Sequence, residues 1–306
     1  MRVSIIGQAP FGEAVLKRLL EDGIEIVAAS APEPQDGARP DPLWEAAAEA
    51  GLTPIDTAAL KGAEGLTKWQ AADAELGVMA FVTEMLPAQV LNTPKQGTIQ
   101  YHPSLLPLHR GSSAMNWPII LGRTKTGLSI FWPDEDMDTG PILLQKQCDI
   151  GPEDTLGSLY FDKLFPMGVD AMAEAVSLVK AQDAPRIEQD HSVSTYEPPC
   201  NENHARIRWY EPAQQVYNRI RGCNPQPGSW TTMRGGERLG IFDCSLSLTN
   251  EAGMPGAVLR IQEDGIDLRL NGGVLHVKRV QPQNARKVNA GEWATEIGLQ
   301  LGTRFR

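Results

Sequence analysis

Only four cysteines occur in 306 residues, Cys148, Cys200, Cys223 and Cys244, and no two of them stand in C-x-x-C spacing. That scarcity argues against a zinc ribbon or a disulfide framework and leaves buried or incidental thiols, so no metal is expected. Long apolar runs are missing too. The first one, Val3 to Ile6, stops at Gly7, far short of a secretory core or a membrane span. A cytoplasmic protein with no membrane partner is the expectation. Internal repeats and low-complexity tracts are absent, and so is a net basic charge over the whole chain. The net charge is −10; residues 1 to 204 carry 14 Lys/Arg against 29 Asp/Glu, and residues 205 to 306 carry 14 against 9. So acidic a larger part repels phosphate backbones, which makes nucleic acid an unfavoured partner.

What is present suits two globular domains, with 42% apolar side chains. Val3 to Ile6 reads as a buried strand, Gly7 to Gly12 as a turn, and Ala14, Val15, Leu16, Leu19 and Leu20 recur at helical spacing. Ile24 to Ala29 is a second strand, and Asp41-Pro42 opens a helix that ends at Gly51. Further strands are expected at 77–82, 98–101, 127–132 and 142–148, followed by a long helix from about 156 to 180. This alternation predicts an α/β domain with a parallel-rich sheet over residues 1–183. Residues 184–204, polar and without periodicity, read as a linker. From 205 to 306, one helix at 212–220 precedes five alternating stretches, 229–233, 239–246, 257–262, 266–270 and 274–280, which predict a small antiparallel sheet or barrel.

The turn Gly7-Gln8-Ala9-Pro10-Phe11-Gly12 sits where a nucleotide-binding fold places its phosphate loop. It lacks G-x-G-x-x-G spacing, Pro10 removes a backbone donor, and the second strand ends without an acidic residue to grip a ribose. A structural turn is the better account. The stronger signal lies at His102, which ends the predicted strand of Thr98-Ile99-Gln100-Tyr101, where open α/β sheets place ligands. Downstream, Pro133 to Gly140 holds four acids, Asp134, Glu135, Asp136 and Asp138. A histidine and a carboxylate on neighbouring strand ends can form a pair that favours imidazolium, which stabilises an oxyanion or supplies a proton. Ser104 has no nucleophile-elbow context and reads as a loop-fixing hydroxyl, and Arg110 either meets an anionic substrate or pins its loop.

Tyr101 to Pro107 with His109-Arg110-Gly111, then Phe131-Trp132 and Asp136-Met137-Asp138-Thr139-Gly140, resembles the formyltransferase family that uses 10-formyltetrahydrofolate. Within that family the wording is similar, along nearly the whole chain, to the amino-terminal hydrolase domain of 10-formyltetrahydrofolate dehydrogenase; methionyl-tRNA and glycinamide ribonucleotide formyltransferases share the core motifs. The resemblance implies a Rossmann-like formyl-folate domain followed by a small barrel. It implies that His102 and Asp138 polarise the formyl group and move protons, with Phe81, Met85 and Leu86 walling the pterin beside the loop of Asp134 and Asp136. Where transferases of the family carry asparagine, this chain has Gln100; its amide can still donate to an oxyanion, displaced by about an ångström. The implied donor is 10-formyltetrahydrofolate. The formyl acceptor is expected to be water, giving formate and tetrahydrofolate; the alternatives are transfer to a small-molecule amine, transfer to initiator tRNA, and folate binding without turnover. No aldehyde-oxidising region accompanies these motifs, so oxidation of the formyl group is not expected within this chain.

Overall fold

The computed structural model describes residues 1–306. In chain order its first elements are β1 (Arg2–Gly7), α1 (Ala9–Glu21), β2 (Glu25–Ala31), α2 (Pro42–Glu49), β3 (Ile55–Asp56), α3 (Ala63–Ala71), β4 (Leu76–Ala80), α4 (Ala88–Leu91) and β5 (Thr98–His102). Then come α5 (Asn116–Ile120), β6 (Lys125–Phe131), β7 (Ile142–Asp149), α6 (Leu156–Ser158), α7 (Phe165–Lys180), α8 (Glu202–Ala205) and α9 (Ala213–Gly222). The chain closes with β8 (Ser229–Thr232), β9 (Arg238–Leu248), β10 (Val258–Gln262), β11 (Gly265–Leu270), β12 (Gly273–Pro282), β13 (Val288–Asn289) and α10 (Ala290–Glu296). No helix is long and apolar enough to cross a membrane.

The expected two-sheet architecture holds. The first sheet runs β3-β2-β1-β4-β5-β6-β7. Its strands are parallel from β3 to β5, and β6 pairs β5 antiparallel. Strand order reverses at β1 and β4, the place where the carboxyl ends of doubly wound strands open a crevice. The central strands are apolar on both faces because helices cover both. Phe11 of α1 stacks on Tyr101 of β5 with centroids 4.4 Å apart and meets Phe165 of α7 edge-on. Gly168 lets α7 come this close, since a Cβ there would lie 2.7 Å from the Tyr101 ring. The expected single helix 156–180 is instead α6, a π-helical turn over Leu159–Leu164, and α7. Pro166, in the first turn of α7, lacks the N–H that would continue an unbroken α-helical ladder.

The second sheet is antiparallel, ordered β10-β11-β12-β9-β8 with β13 on β12. Its core gathers Leu239, Ile241, Leu268, Leu275 and Val277 with Val216 and Ile220 of α9 and the rings of Trp209, Trp293 and Phe305. The compact units interleave along the chain rather than meeting at one linker. One comprises Met1–Ser112, Gly127–Cys148 and Asp162–Tyr196; the other comprises Ser113–Thr126, Asp149–Phe161 and Glu197–Arg306. The stretch 184–204 is therefore divided at Tyr196, and its first half is part of the α/β unit.

Candidate active site

β5 carries the site because alternate residues of a strand face opposite ways. Ile99 and Tyr101 enter the apolar core, while Gln100 and His102 share the other face. His102 is buried at 5% exposure, and its Nε2 lies 2.9 Å from the carbonyl oxygen of His109. A carbonyl only accepts, so Nε2 carries the proton and donates. The other ring nitrogen, Nδ1, then faces Oδ2 of Asp138 at 3.6 Å. That nitrogen is an acceptor in the neutral ring and a charged donor in the imidazolium, which makes it the nitrogen open to chemistry.

The loop after β6 delivers Asp138. Of its four acids only Asp138 is buried; Asp134, Glu135 and Asp136 are exposed. The Asp134 carboxylate accepts from the Thr139 hydroxyl at 2.6 Å and from the Asp136 N–H at 3.3 Å, which spends it on shaping the turn. Asp138 sits at φ +57°, and its Oδ2 accepts from the Gly111 N–H at 2.8 Å. Gly140 is required where the loop rejoins the sheet, because a Cβ there would lie 1.8 Å from the Trp132 carbonyl oxygen.

The loop after His102 is built on hydroxyls. Ser104 donates to the Leu108 carbonyl at 2.6 Å, the loop-fixing role its setting suggested. Ser129 of β6 donates to the Ser104 carbonyl at 2.7 Å and accepts from the Leu106 N–H and the Gln145 amide. Arg110 is 3% exposed, so it pins the loop from inside; its guanidinium donates to Gln189 and to His191 Nδ1.

Gln100 pairs in register with Met79 of β4 and Phe131 of β6, is partly exposed, and its amide makes no hydrogen bond within the protein. Phe81 directly follows β4, at φ +63°, and packs partly on the main core. Met85 is 56% exposed, whereas Leu86 is 8% exposed in a cluster with Leu60, Trp69 and Val90. The strand ends thus bring Phe81, Gln100, His102 and Asp138 to one edge of the sheet, with Met85 an apolar side chain open to solvent.

At the turn after β1, the Ala9 N–H donates to the Asp41 carboxylate at 2.8 Å, and the other oxygen of Asp41 caps α2. With Pro10 lacking an N–H, the amino end of α1 already holds its anion, which removes the dinucleotide alternative.

Sequence reasoning missed Gln189, Thr195 and Tyr196. Gln189 donates to the carbonyls of Asp138 and Gly140, Thr195 accepts from the His109 N–H, and Tyr196 donates to the Met137 carbonyl. They lie in a polar stretch with no periodicity, where nothing in the spacing marks a buried glutamine.

The model of a formyl transferase matches residues 1–176, and that of a formyl transferase C-terminal domain matches residues 200–298. The mitochondrial 10-formyltetrahydrofolate dehydrogenase of Mus musculus is 39% identical over 311 residues, 96% of this chain and 33% of that protein. The chain thus spans about a third of the length of the dehydrogenases it matches. The methionyl-tRNA formyltransferase of Syntrophus aciditrophicus is 38% identical over 75% of this chain and 73% of its own length. Among solved structures, HypX from Aquifex aeolicus in complex with tetrahydrofolic acid gives a TM-score of 0.72 at 15% identity over 98% of this chain and 48% of that one. The N-formyltransferase from Helicobacter canadensis, in complex with folinic acid and dTDP-3-aminofucose, gives 0.70 at 16% identity over 94% and 99%. These two likenesses concern the fold. Matched over both its sheets, and at 38% identity along most of a formyltransferase's length, the chain belongs to the formyl transferase family.

Proposed function

We propose that this chain hydrolyses 10-formyltetrahydrofolate to tetrahydrofolate and formate. The donor is the one the family uses, and two structures of this fold hold tetrahydrofolic or folinic acid. The observation that carries the chemistry is the buried His102–Asp138 pair, 3.6 Å apart, on the strand face that also bears the unpartnered Gln100 amide. Water loses a proton to the pair as its oxygen bonds to the formyl carbon. The oxyanion is met by the Gln100 N–H and by the protonated His102 ring. The bond from carbon to N10 of the folate then breaks, the proton returns to that nitrogen, and formate leaves as the second proton of the water passes to solvent. Phe81 and Met85 offer apolar surface for the pterin, Leu86 supports it from the core, and backbone groups of the loop at Asp134 and Asp136 read its polar edge. Identity to 10-formyltetrahydrofolate dehydrogenases along 96–98% of the chain supports detachment of the formyl group rather than its transfer.

The relatives that act as formyltransferases favour a second reading, transfer to an amine. The segment Ser30 to Pro42 has only Arg39 as a basic residue, which argues against tRNA as the acceptor. Competition separates the two. Purified protein is supplied with 10-formyltetrahydrofolate and a panel of aminosugars and charged initiator tRNA, and formate is compared with N-formyl product. Formate yield unchanged by any acceptor supports hydrolysis; formyl appearing on an amine in place of formate overturns it.

A further inference from the structure

We propose that Gln189, held by Arg110, is a positioning residue that fixes Asp138 at its distance from His102; the inference rests on that pair carrying the formyl chemistry. Asp138 occupies a left-handed backbone conformation, which costs a non-glycine residue free energy and persists only where neighbours enforce it. The four residues before it, Asp134 to Met137, are exposed and are held only at the surface, by the Asp134 carboxylate and by Tyr196 on the Met137 carbonyl; the buried support comes from the other side. There the Gln189 amide nitrogen, in a side chain 5% exposed, donates to the Asp138 carbonyl at 3.0 Å and to the Gly140 carbonyl at 2.7 Å, bridging the turn. Its oxygen accepts from Arg110 at 2.7 Å, so two acceptors on one side and a donor on the other fix which way the amide points. Arg110 precedes Gly111, whose N–H holds the Asp138 carboxylate. The result is a closed ring through Asp138 carbonyl, Gln189, Arg110, Gly111 and Asp138 carboxylate. Thr195 ties the same strap to the histidine side: it accepts from the His109 N–H at 2.8 Å, and the His109 carbonyl is what receives His102 Nε2.

The test is Gln189→Leu, similar in size and without the amide. A displacement of about an ångström can cost on the order of 10²-fold, so kcat for formate release should fall by about 30-fold or more while KM stays within about threefold. In an Asp138→Asn background the same change should cost less than about threefold, because Gln189 acts through that carboxylate. Amide hydrogen exchange over residues 134–140 should quicken by about tenfold in Gln189→Leu, a result read without turnover. Unchanged kcat, an undiminished loss in the Asp138→Asn background, or unchanged exchange would each overturn the proposal. Absence of formate release from the wild-type protein would instead sink the hydrolase assignment, leaving exchange to judge Gln189. Should Gln189→Leu fail to fold, Gln189→Glu, which keeps the partner of Arg110 and loses both donors, carries the same expectations.

A separate observation supports a second inference: the geometry points to Cys200 and Cys223 as a pair that closes to an intramolecular disulfide. Their sulfurs lie 3.8 Å apart, and both backbones are anchored, Cys200 by its N–H on the Ser113 hydroxyl and Cys223 by hydrogen bonds at the end of α9. Cys200 is half-buried and Cys223 fully buried, which makes Cys200 the accessible partner. The hydrogen bond from the Cys223 thiol also draws the Cys200 thiol below its ordinary pKa. With a small-molecule disulfide as oxidant, the Cys200 thiolate attacks one sulfur and releases one small thiol; Cys223 then attacks Cys200 and releases the second, its proton going to solvent. Incubation with oxidised glutathione, followed by thiol counting and peptide mapping, should show two of the four thiols lost in one Cys200–Cys223 linkage, reversible by dithiothreitol and blocked in Cys200→Ser. A stable glutathione adduct on Cys200 alone, a linkage involving Cys148 or Cys244, or four persistent thiols would overturn it.

Discussion

Replacing Asp138 by asparagine removes a charge and little else. The asparagine oxygen can still accept the Gly111 N–H, and asparagine tolerates the left-handed backbone of this position as aspartate does. On the proposed mechanism, what is lost is attraction between the carboxylate and the imidazolium that forms as His102 takes a proton. Two unit charges 3.6 Å apart attract by about 4 to 5 kcal/mol at an effective dielectric of about 20. Solvent reaching the rim of the site offsets part of that, leaving about 3 to 4 kcal/mol of transition-state stabilisation, or roughly 10²- to 10³-fold in kcat. KM should change little, because the charge acts on the developing imidazolium rather than on bound folate. The assay is formate release at saturating 10-formyltetrahydrofolate, with a urea melt to show that stability moves by less than about 1 kcal/mol. An Asp138→Asn protein that kept more than about a tenth of wild-type kcat would refute the argument.

Gly140→Ala should destabilise the α/β unit by about 2 to 4 kcal/mol in a urea melt, because its Cβ would collide with the Trp132 carbonyl, and neither backbone can yield without opening the loop. Asp73 offers a pH test. The hydrogen bond from Lys95, and then its charge, hold the Asp73 carboxyl below its ordinary value. The sign follows from linkage: a lowered folded-state pKa contributes stability that is complete above the unfolded value near 3.8 and is lost on further acidification. Asp73→Asn should therefore be less stable than wild type at neutral pH, and the two should converge as acid protonates the aspartate; curves that stay parallel below pH 4 would contradict this.

Much of the fold was legible because its signals are local. Val3 to Ile6 and Leu76 to Ala80 are short, mostly apolar runs buried on both faces, as strands covered by helices must be, and β9 to β12 alternate between turns such as Asn271-Gly272, where Gly272 takes φ +91°. The break at Leu159 to Leu164 was not legible, since the apolar spacing continues through it and only Pro166 hints at a restart. At the candidate site, motif wording singles out His102 and Asp138, and burial separates Asp138 from three acids that composition makes equivalent to it. Leu86 was expected at the pterin and lies within the Leu60–Trp69 cluster, so it can support that wall from behind. Gln189 and Thr195 are not legible in the sequence for a plain reason. A side chain that hydrogen-bonds backbone some 50 to 90 positions away leaves no periodicity at its own position.

The central claim, that His102 detaches the formyl group with water as acceptor, is tested most directly by one assay. Wild-type protein and His102→Ala are each given 10-formyltetrahydrofolate without any amine, and bound folate, free tetrahydrofolate and formate are followed together. The account predicts equimolar formate and tetrahydrofolate from the wild type, and a His102→Ala protein that still binds the folate but loses about 10²-fold or more in turnover. Wild-type protein that binds the folate and releases no formate, or His102→Ala turning over at the wild-type rate, would contradict it.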